Sequence, residues 1–401
     1  MHIIKKIAIF CFLLTIVSCS TKKDAFLNRK YNALTTQYNI LYNGEVAFQQ
    51  GLDEINSQYE DDFFELLPIE PLKFERKSQK KSMNPSSNRG LGFGFDRDKP
   101  EEVQTPFDIA EQKAVKAIQK HSMNINGKEK NKKIDDAYLL LGKSRYYTQR
   151  FIPAIDAYNY IISNYPNANL IDETKIWRAK AHIRIDNEEL AIETLELMLK
   201  KPDLTDRIRE EANTALAMAY AKVDSICETK KYLWNAVETS ENKAQKARNL
   251  FILGQLYGND KIKDTATLVY NKLINFKKGP YKYRVYAAIE LAKNSVSDSS
   301  TIALFDRYHK MIKNRDNRPY LDGLYYQIAV LEESRDSIDR AILNYNRSLR
   351  SKKGTAKQKT YSYESLATIY FQNLDYIKAG AYYDSVLQVA TNKQNVRIKR
   401  I

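Results

Sequence analysis

The chain has 401 residues, 43% of them hydrophobic and 28% charged, with a formal net charge of +15. No apolar run reaches the roughly 20 residues that a membrane-spanning helix needs. The four His (His2, His121, His182 and His309) and three Cys are too scattered for a zinc cluster, and the excess of Lys and Arg favours an acidic partner or anionic lipid headgroups.

Lys5 and Lys6 precede an apolar run, Ile7 to Val17, that closes with Ile16-Val17-Ser18-Cys19. The pattern resembles a bacterial lipoprotein signal, which implies removal of 1–18, acylation of Cys19 and a chain that sits on a membrane without spanning it. Export makes nucleic acid a poor candidate partner. With Lys5 and Lys6 removed the charge is +13, and Cys227 is the one thiol left, read as a buried apolar residue in a second repeat helix. Residues 19–59 read as the lipidated N-terminus and a helical hairpin, Phe26 to Tyr42 and Glu45 to Tyr59, turning at Asn43-Gly44. From 60 to 105 the periodicity dissolves. An acidic cluster (Glu60, Asp61, Asp62, Glu65), a basic one (Lys73, Arg76, Lys77, Lys80, Lys81) and Pro68, Pro71, Pro85 and Pro100 predict a flexible linker or insertion. Its Gly90 to Phe95 stretch has G-x-G-x-G spacing with no preceding strand, so it is no phosphate loop. Thr105-Pro106 opens a helix that runs to about Met123, and a basic connector completes 106–133.

Seven helix-turn-helix units follow over 134–389. Gly142, Ala179, Ala217, Gly254, Ala292, Ala329 and Ala367 recur at spacings of 37, 38, 37, 38, 37 and 38 residues. A small residue is needed there because helices cross at about 8 to 10 Å. Twelve residues on stand Ala154, Ala191, Thr229, Ala266, Leu304, Ala341 and Ala379, and four further stand the space-filling Tyr158, Leu195, Leu233, Tyr270, Tyr308, Tyr345 and Tyr383. The pattern resembles tetratricopeptide repeats with lengthened turns, predicting an all-α fold of helix-turn-helix repeats stacked as an α-solenoid superhelix. The next crossing residue would fall beyond Ile401, so 390–401 reads as the start of an eighth repeat or a cap.

No G-x-S-x-G, H-E-x-x-H or P-loop is present, and no carboxylate pair stands out, so the reading is a binding scaffold with no enzymatic activity, cofactor, metal or small-molecule substrate. Matching positions two, five, nine and twelve of the repeat unit gives Lys143, Tyr146, Lys180, Ile183, Gln255, Tyr326 and Phe371 as partner-binding groove candidates, suited to an extended peptide or an acidic helix. Asp-Ser/Thr-apolar triplets at Asp224, Asp264, Asp336 and Asp384 resemble an O-glycosylation acceptor of exported Bacteroidota proteins; at Asp336-Ser337 helix capping is the expected role.

Three segments, Asn28 to Gly44, Ala114 to Met123 and Asp135 to Tyr147, are similar to the SprE/PorW family of tetratricopeptide lipoproteins of type IX secretion and gliding motility in Bacteroidota. The resemblance implies a lipoprotein on the periplasmic face of the outer membrane, a scaffold linking the periplasmic ring to the translocon, with proteins of those two assemblies as partners. Ser20-Thr21-Lys22-Lys23 lack the acidic run that directs surface exposure. Family members are longer, and the resemblance covers their N-terminal half. The competing readings are a glycan-binding lipoprotein of an outer-membrane importer, which would carry exposed Trp on long insertions, where Trp177 and Trp234 lie in repeat helices, and a barrel-assembly lipoprotein, whose pattern Tyr165-Pro166 shares.

Overall fold

The computed structural model describes residues 20–72, 104–239, 241–294 and 301–390. The signal segment with Cys19, the Gly90 to Phe95 stretch and 391–401 lie outside them. The fold is all-α, and within each of its two compact units successive helices pack in sequence order. It begins with α1 (Phe26–Thr35), a π-helical turn (Thr36–Leu41) and α2 (Tyr42–Gln58). Then come α3 (Pro106–His121) and the short antiparallel strands β1 (Asn124–Ile125) and β2 (Lys128–Glu129). Asn126 and Gly127, both at positive φ, close that hairpin.

The repeat pairs are α4 (Ile134–Tyr147) with α5 (Phe151–Asn164), α6 (Ile171–Arg184) with α7 (Glu188–Leu199), α8 (Asp206–Lys222) with α9 (Ile226–Thr239), and α10 (Lys243–Asn259) with α11 (Lys263–Asn275). They continue with α12 (Tyr281–Asn294) and α13 (Thr301–Lys313), a 3-10 turn (Arg315–Tyr320), α14 (Leu321–Ser334) with α15 (Ile338–Leu349), and α16 (Ala356–Gln372) with α17 (Tyr376–Val389). Two compact units result. Of the described residues, those up to Tyr59 and those from Glu70 to Ser225 make the first, and those of Glu60–Ile69 and from Ile226 onward make the second.

The glycines of the crossing pattern have a steric cause. A Cβ on Gly142 would lie 2.3 Å from the Tyr158 ring, and one on Gly254 2.3 Å from the Tyr270 ring. Ala179, Ala217, Ala292, Ala329 and Ala367 are all buried, as are Ala154, Ala191, Ala266, Ala341 and Ala379. The turn inside each described pair is also fixed by the backbone. Gln149, Asp186, Asp224, Lys261, Asp336 and Leu374 all stand in the left-handed region, with φ between 56° and 63°. Each lies seven residues past its crossing residue, and the next amide reaches back to the helix end, as in Arg150 N to Arg145 O (2.9 Å) and Ile262 N to Tyr257 O (2.9 Å). This is the Schellman closure, which satisfies carbonyls the helix would otherwise leave open.

Four sequence expectations are corrected. The N-terminal hairpin is instead helical without a break from Phe26 to Gln58. Gly44 is a packing glycine, not a turn: its Cβ would stand 2.8 Å from Leu140 and 3.1 Å from Lys113. Cys227 is exposed, because α9 buries the face carrying Thr229, Tyr232, Leu233, Ala236 and Val237. Asp336 takes the left-handed turn position, and Ser337 makes no side-chain cap bond. Finally, residues 60–72, at the start of the expected flexible linker, are seated on the repeats.

Candidate functional site

In the second unit, the first helices of the fourth to seventh pairs (α10, α12, α14 and α16) present side chains that hold residues 60–69. This segment carries no helix or strand. Its groups are met by side chains and not by a backbone ladder. Gln255 on α10 donates from Nε2 to Glu65 O (2.8 Å) and accepts from Leu67 N (3.0 Å). Arg248 Nε donates to Pro68 O (2.7 Å), Gln245 Nε2 to Ile69 O (3.1 Å) and Lys357 Nζ to Glu60 O (2.9 Å). Such contacts grip the main chain largely without regard to its side chains.

Side chains of the segment are held as well. The Asp61 side chain is 0% exposed, with Arg248 Nη1 at 2.7 Å and Lys282 Nζ at 2.6 Å. Burial alone would push its carboxyl up; the two cations and their hydrogen bonds more than offset this and hold it below the usual range. Phe63 stacks on Tyr286 with ring centres 3.7 Å apart and meets Phe251 edge-on at 5.1 Å. Phe64 lies against Tyr326 (5.1 Å) and Tyr361 (4.5 Å), and Tyr361 donates to Asp62 (3.1 Å). Leu67 and Ile69 are buried.

In the first unit the inner helices hold one carboxylate from the same stretch. Glu70 is paired with Lys180 and Arg184 and accepts from Tyr146 OH at 2.6 Å. Burial raises its pKa, but the Lys180 and Arg184 charges and the hydrogen bonds outweigh that and bring it from 4.5 to about 2. Around it, Lys143 pairs with Glu173 at 2.5 Å, and Lys180 stands 4.3 Å from the centre of the Trp177 ring.

Tyr146 and Lys180 thus meet Glu70, while Gln255 and Tyr326 meet the 60–69 segment. Lys143 is engaged by Glu173, Ile183 is buried packing, and Phe371 rests edge-on against Tyr376 at 5.5 Å. The template missed Arg248, Tyr286 and Tyr361, although all three occupy its position two. It also missed Gln245, Lys282 and Tyr283, which lie one turn earlier, where α10 and α12 extend beyond the formal repeat. Among the described residues, no group of three or more His, Cys, Asp or Glu is placed to hold a metal. No described helix is long and apolar enough to cross a membrane.

No family model matches the chain, and no curated protein does. Similar solved structures include a tetratricopeptide repeat protein from Parabacteroides merdae ATCC 43184, at 14% identity and TM-score 0.36 over 63% of this chain and 90% of that one. The apo quorum sensor NprR from B. thuringiensis aligns at 13% identity and TM-score 0.45, over 97% of this chain and 94% of that one. The human IFIT1 dimer with m7Gppp-AAAA aligns at 13% identity and TM-score 0.38, over 72% and 68%. The repeats of this chain are of the tetratricopeptide type, by their paired helices, buried small crossing residues and tyrosines seated over glycine. Likeness at these identities says nothing of ligand or partner.

Proposed function

We propose that the chain is a lipid-anchored scaffold on the periplasmic face of the outer membrane, serving type IX protein secretion and gliding motility by linking the periplasmic ring to the translocon. The observation that carries this reading is that the three segments similar to that family converge in one module. Within it His121 Nδ1 and Asn32 Oδ1 are 2.9 Å apart, Asn131 Nδ2 donates to Thr36 Oγ1 (3.0 Å) and to His121 O (2.9 Å), and Gly44 packs on Leu140. Ile40, Leu41, Ala114, Ala117, Ala137 and Leu140 share its core. A similarity that follows a packed module is more specific than one spread over generic repeat positions.

The anchor fits the outward face of α1 and the π turn. Leu27, Tyr31, Leu34 and Tyr38 are exposed there while Asn28, Asn32 and Thr36 are buried, so the helix shows its apolar side outward just after the expected lipid position. Aromatic and basic groups, with Lys22, Lys23, Arg29 and Lys30 close by, suit a bilayer surface.

Pull-down of the tagged full chain from the envelope tests the reading, with ring and translocon proteins expected. Recovery of an importer or of barrel-assembly proteins in their place would replace it. In the same cells Cys19→Ala should move the chain from the membrane to the soluble periplasmic fraction.

A further inference from the structure

We infer that the inner face of the second unit is a peptide-recognition site for a partner segment that carries a carboxylate and presents aromatic rings two and three residues later on a tight turn, and that Glu60–Ile69 occupies this site in cis as a built-in competitor. The inference rests on the reading of the chain as an interaction scaffold, and not on which secretion machinery it serves.

Three observations on the same helices support it. The occupant is held by side-chain donors and an acceptor aimed at its main chain, from Gln245, Arg248, Gln255 and Lys357, a mode that any segment following the same backbone path satisfies. The structure within the occupant is one tight turn, closed by Glu65 N to Asp62 O at 3.2 Å and by Phe64 N to Asp62 Oδ1 at 3.2 Å, with Phe63 and Phe64 at its central positions. The discriminating positions are compact and chemically distinct, with a fully buried carboxylate site between Arg248 and Lys282 followed by two aromatic slots formed by Phe251 with Tyr286 and by Tyr326 with Tyr361. Charge complementarity therefore selects an acidic segment, and the slots select Phe or Tyr at the second and third positions after the acid.

A tethered occupant competes at an effective concentration on the order of millimolar. The apparent dissociation constant of a partner segment is then its intrinsic value divided by the fraction of molecules whose groove is open. The cis segment sets an affinity threshold, passed by partners that present the motif at high local concentration or with further contacts.

The test uses the full chain and a fluorescein-labelled synthetic peptide covering residues 60–69, read by fluorescence anisotropy. Asp61→Ala/Phe63→Ala/Phe64→Ala should empty the groove and bind the peptide saturably, at least about tenfold more tightly than the unmodified chain. Adding Arg248→Ala to that variant should remove the binding, and a scrambled peptide of the same composition should not bind. A folded triple variant that fails to bind, equal affinity of variant and unmodified chain, or equal binding of the scrambled peptide would each overturn the inference. Should the triple variant fail to fold, hydrogen exchange on the unmodified chain decides: excess peptide is expected to strip protection from the amides of 61–69, and unchanged protection overturns it. Peptide binding without recovery of ring and translocon proteins would sink the assigned machinery alone. Recovery of those proteins without peptide binding would sink the recognition site alone.

Discussion

The inner faces of the two units are built on one helical template and hold their occupants by different physics. In the first unit the face is ionic: Lys143 and Arg207 meet Glu173, and Glu70 is gripped by Lys180, Arg184 and Tyr146. In the second unit one buried ion pair is followed by an aromatic and amide-lined track, from Arg248 and Lys282 through Phe251 and Tyr286 to Tyr326 and Tyr361. The residues that set the fold are nearly interchangeable between units, while those at inner positions two, five, nine and twelve are not. Architecture and recognition are thus written on separate positions of the same repeat.

The strongest way to break the comparison is to remove the central cation of the second unit. Arg248→Ala takes one of the two cations from a carboxylate whose side chain has no exposure, leaving Lys282 and the Tyr283 hydroxyl on it, and frees Pro68 O, so a loss of about 3 kcal/mol, the low end for breaking a buried pair, is expected. Urea denaturation followed by hydrogen exchange should show the loss in α10 and α12, with α4 and α6 unaffected. A loss below 1 kcal/mol, well under the ~3 kcal/mol floor, would mean that Asp61 is not held as described.

Next comes the latch of the first unit. The Glu70 carboxyl is lowered from 4.5 to about 2 on folding. A depressed carboxylate contributes stability that is complete above its unfolded value and disappears as the pH falls through its folded one. The contribution is about 3 kcal/mol, lost between about pH 5 and 2. Glu70→Gln should remove that acid-sensitive component from the first unit. If the acid profile of α4 and α6 is the same in the variant, the latch is not the titrating group.

How much of this was legible in the sequence depends on the range of the forces involved. The crossing residues and their tyrosines were readable because helix packing repeats at a fixed period; the template also placed Tyr146, Lys180, Gln255 and Tyr326 at inner positions, as partner-binding candidates, where they meet a segment of the same chain. Asp61 and Arg248 are 187 residues apart and joined by no local pattern. The same acids and prolines that mark a stretch without helix gave no sign that side chains from four distant helices would order it. The hairpin read at Asn43-Gly44 failed for a related reason. Glycine marks both turns and close packing, and the neighbour that decides between them, Leu140, is remote in sequence.

A pair of substitutions probes what the two units share. Gly142→Ala and Gly254→Ala each place a Cβ 2.3 Å from a buried Tyr ring. Each should cost about 1 to 3 kcal/mol by overpacking, and by similar amounts in the two units. A cost confined to one of them would show that the crossing geometry is not common to both.

The smallest effect concerns the tyrosines seated over the crossings. Tyr158 in the first unit is fully buried, and its hydroxyl has no hydrogen-bond partner among the described residues. Tyr345 in the second unit is equally buried but donates to the Glu333 carboxylate at 2.6 Å. Deleting a buried hydroxyl without a partner removes a desolvation cost and loses no bond, whereas a bond to a charged acceptor is worth about 1.5 to 3 kcal/mol. Tyr345→Phe should therefore destabilise by about that amount, while Tyr158→Phe should leave the urea midpoint within about 0.5 kcal/mol of unchanged or raise it slightly. Because both rings keep their packing, the difference between the two variants isolates the hydroxyl. Equal losses would mean that Tyr158 gains a partner in solution, and that the tyrosine position carries a polar role in both units as well as a steric one.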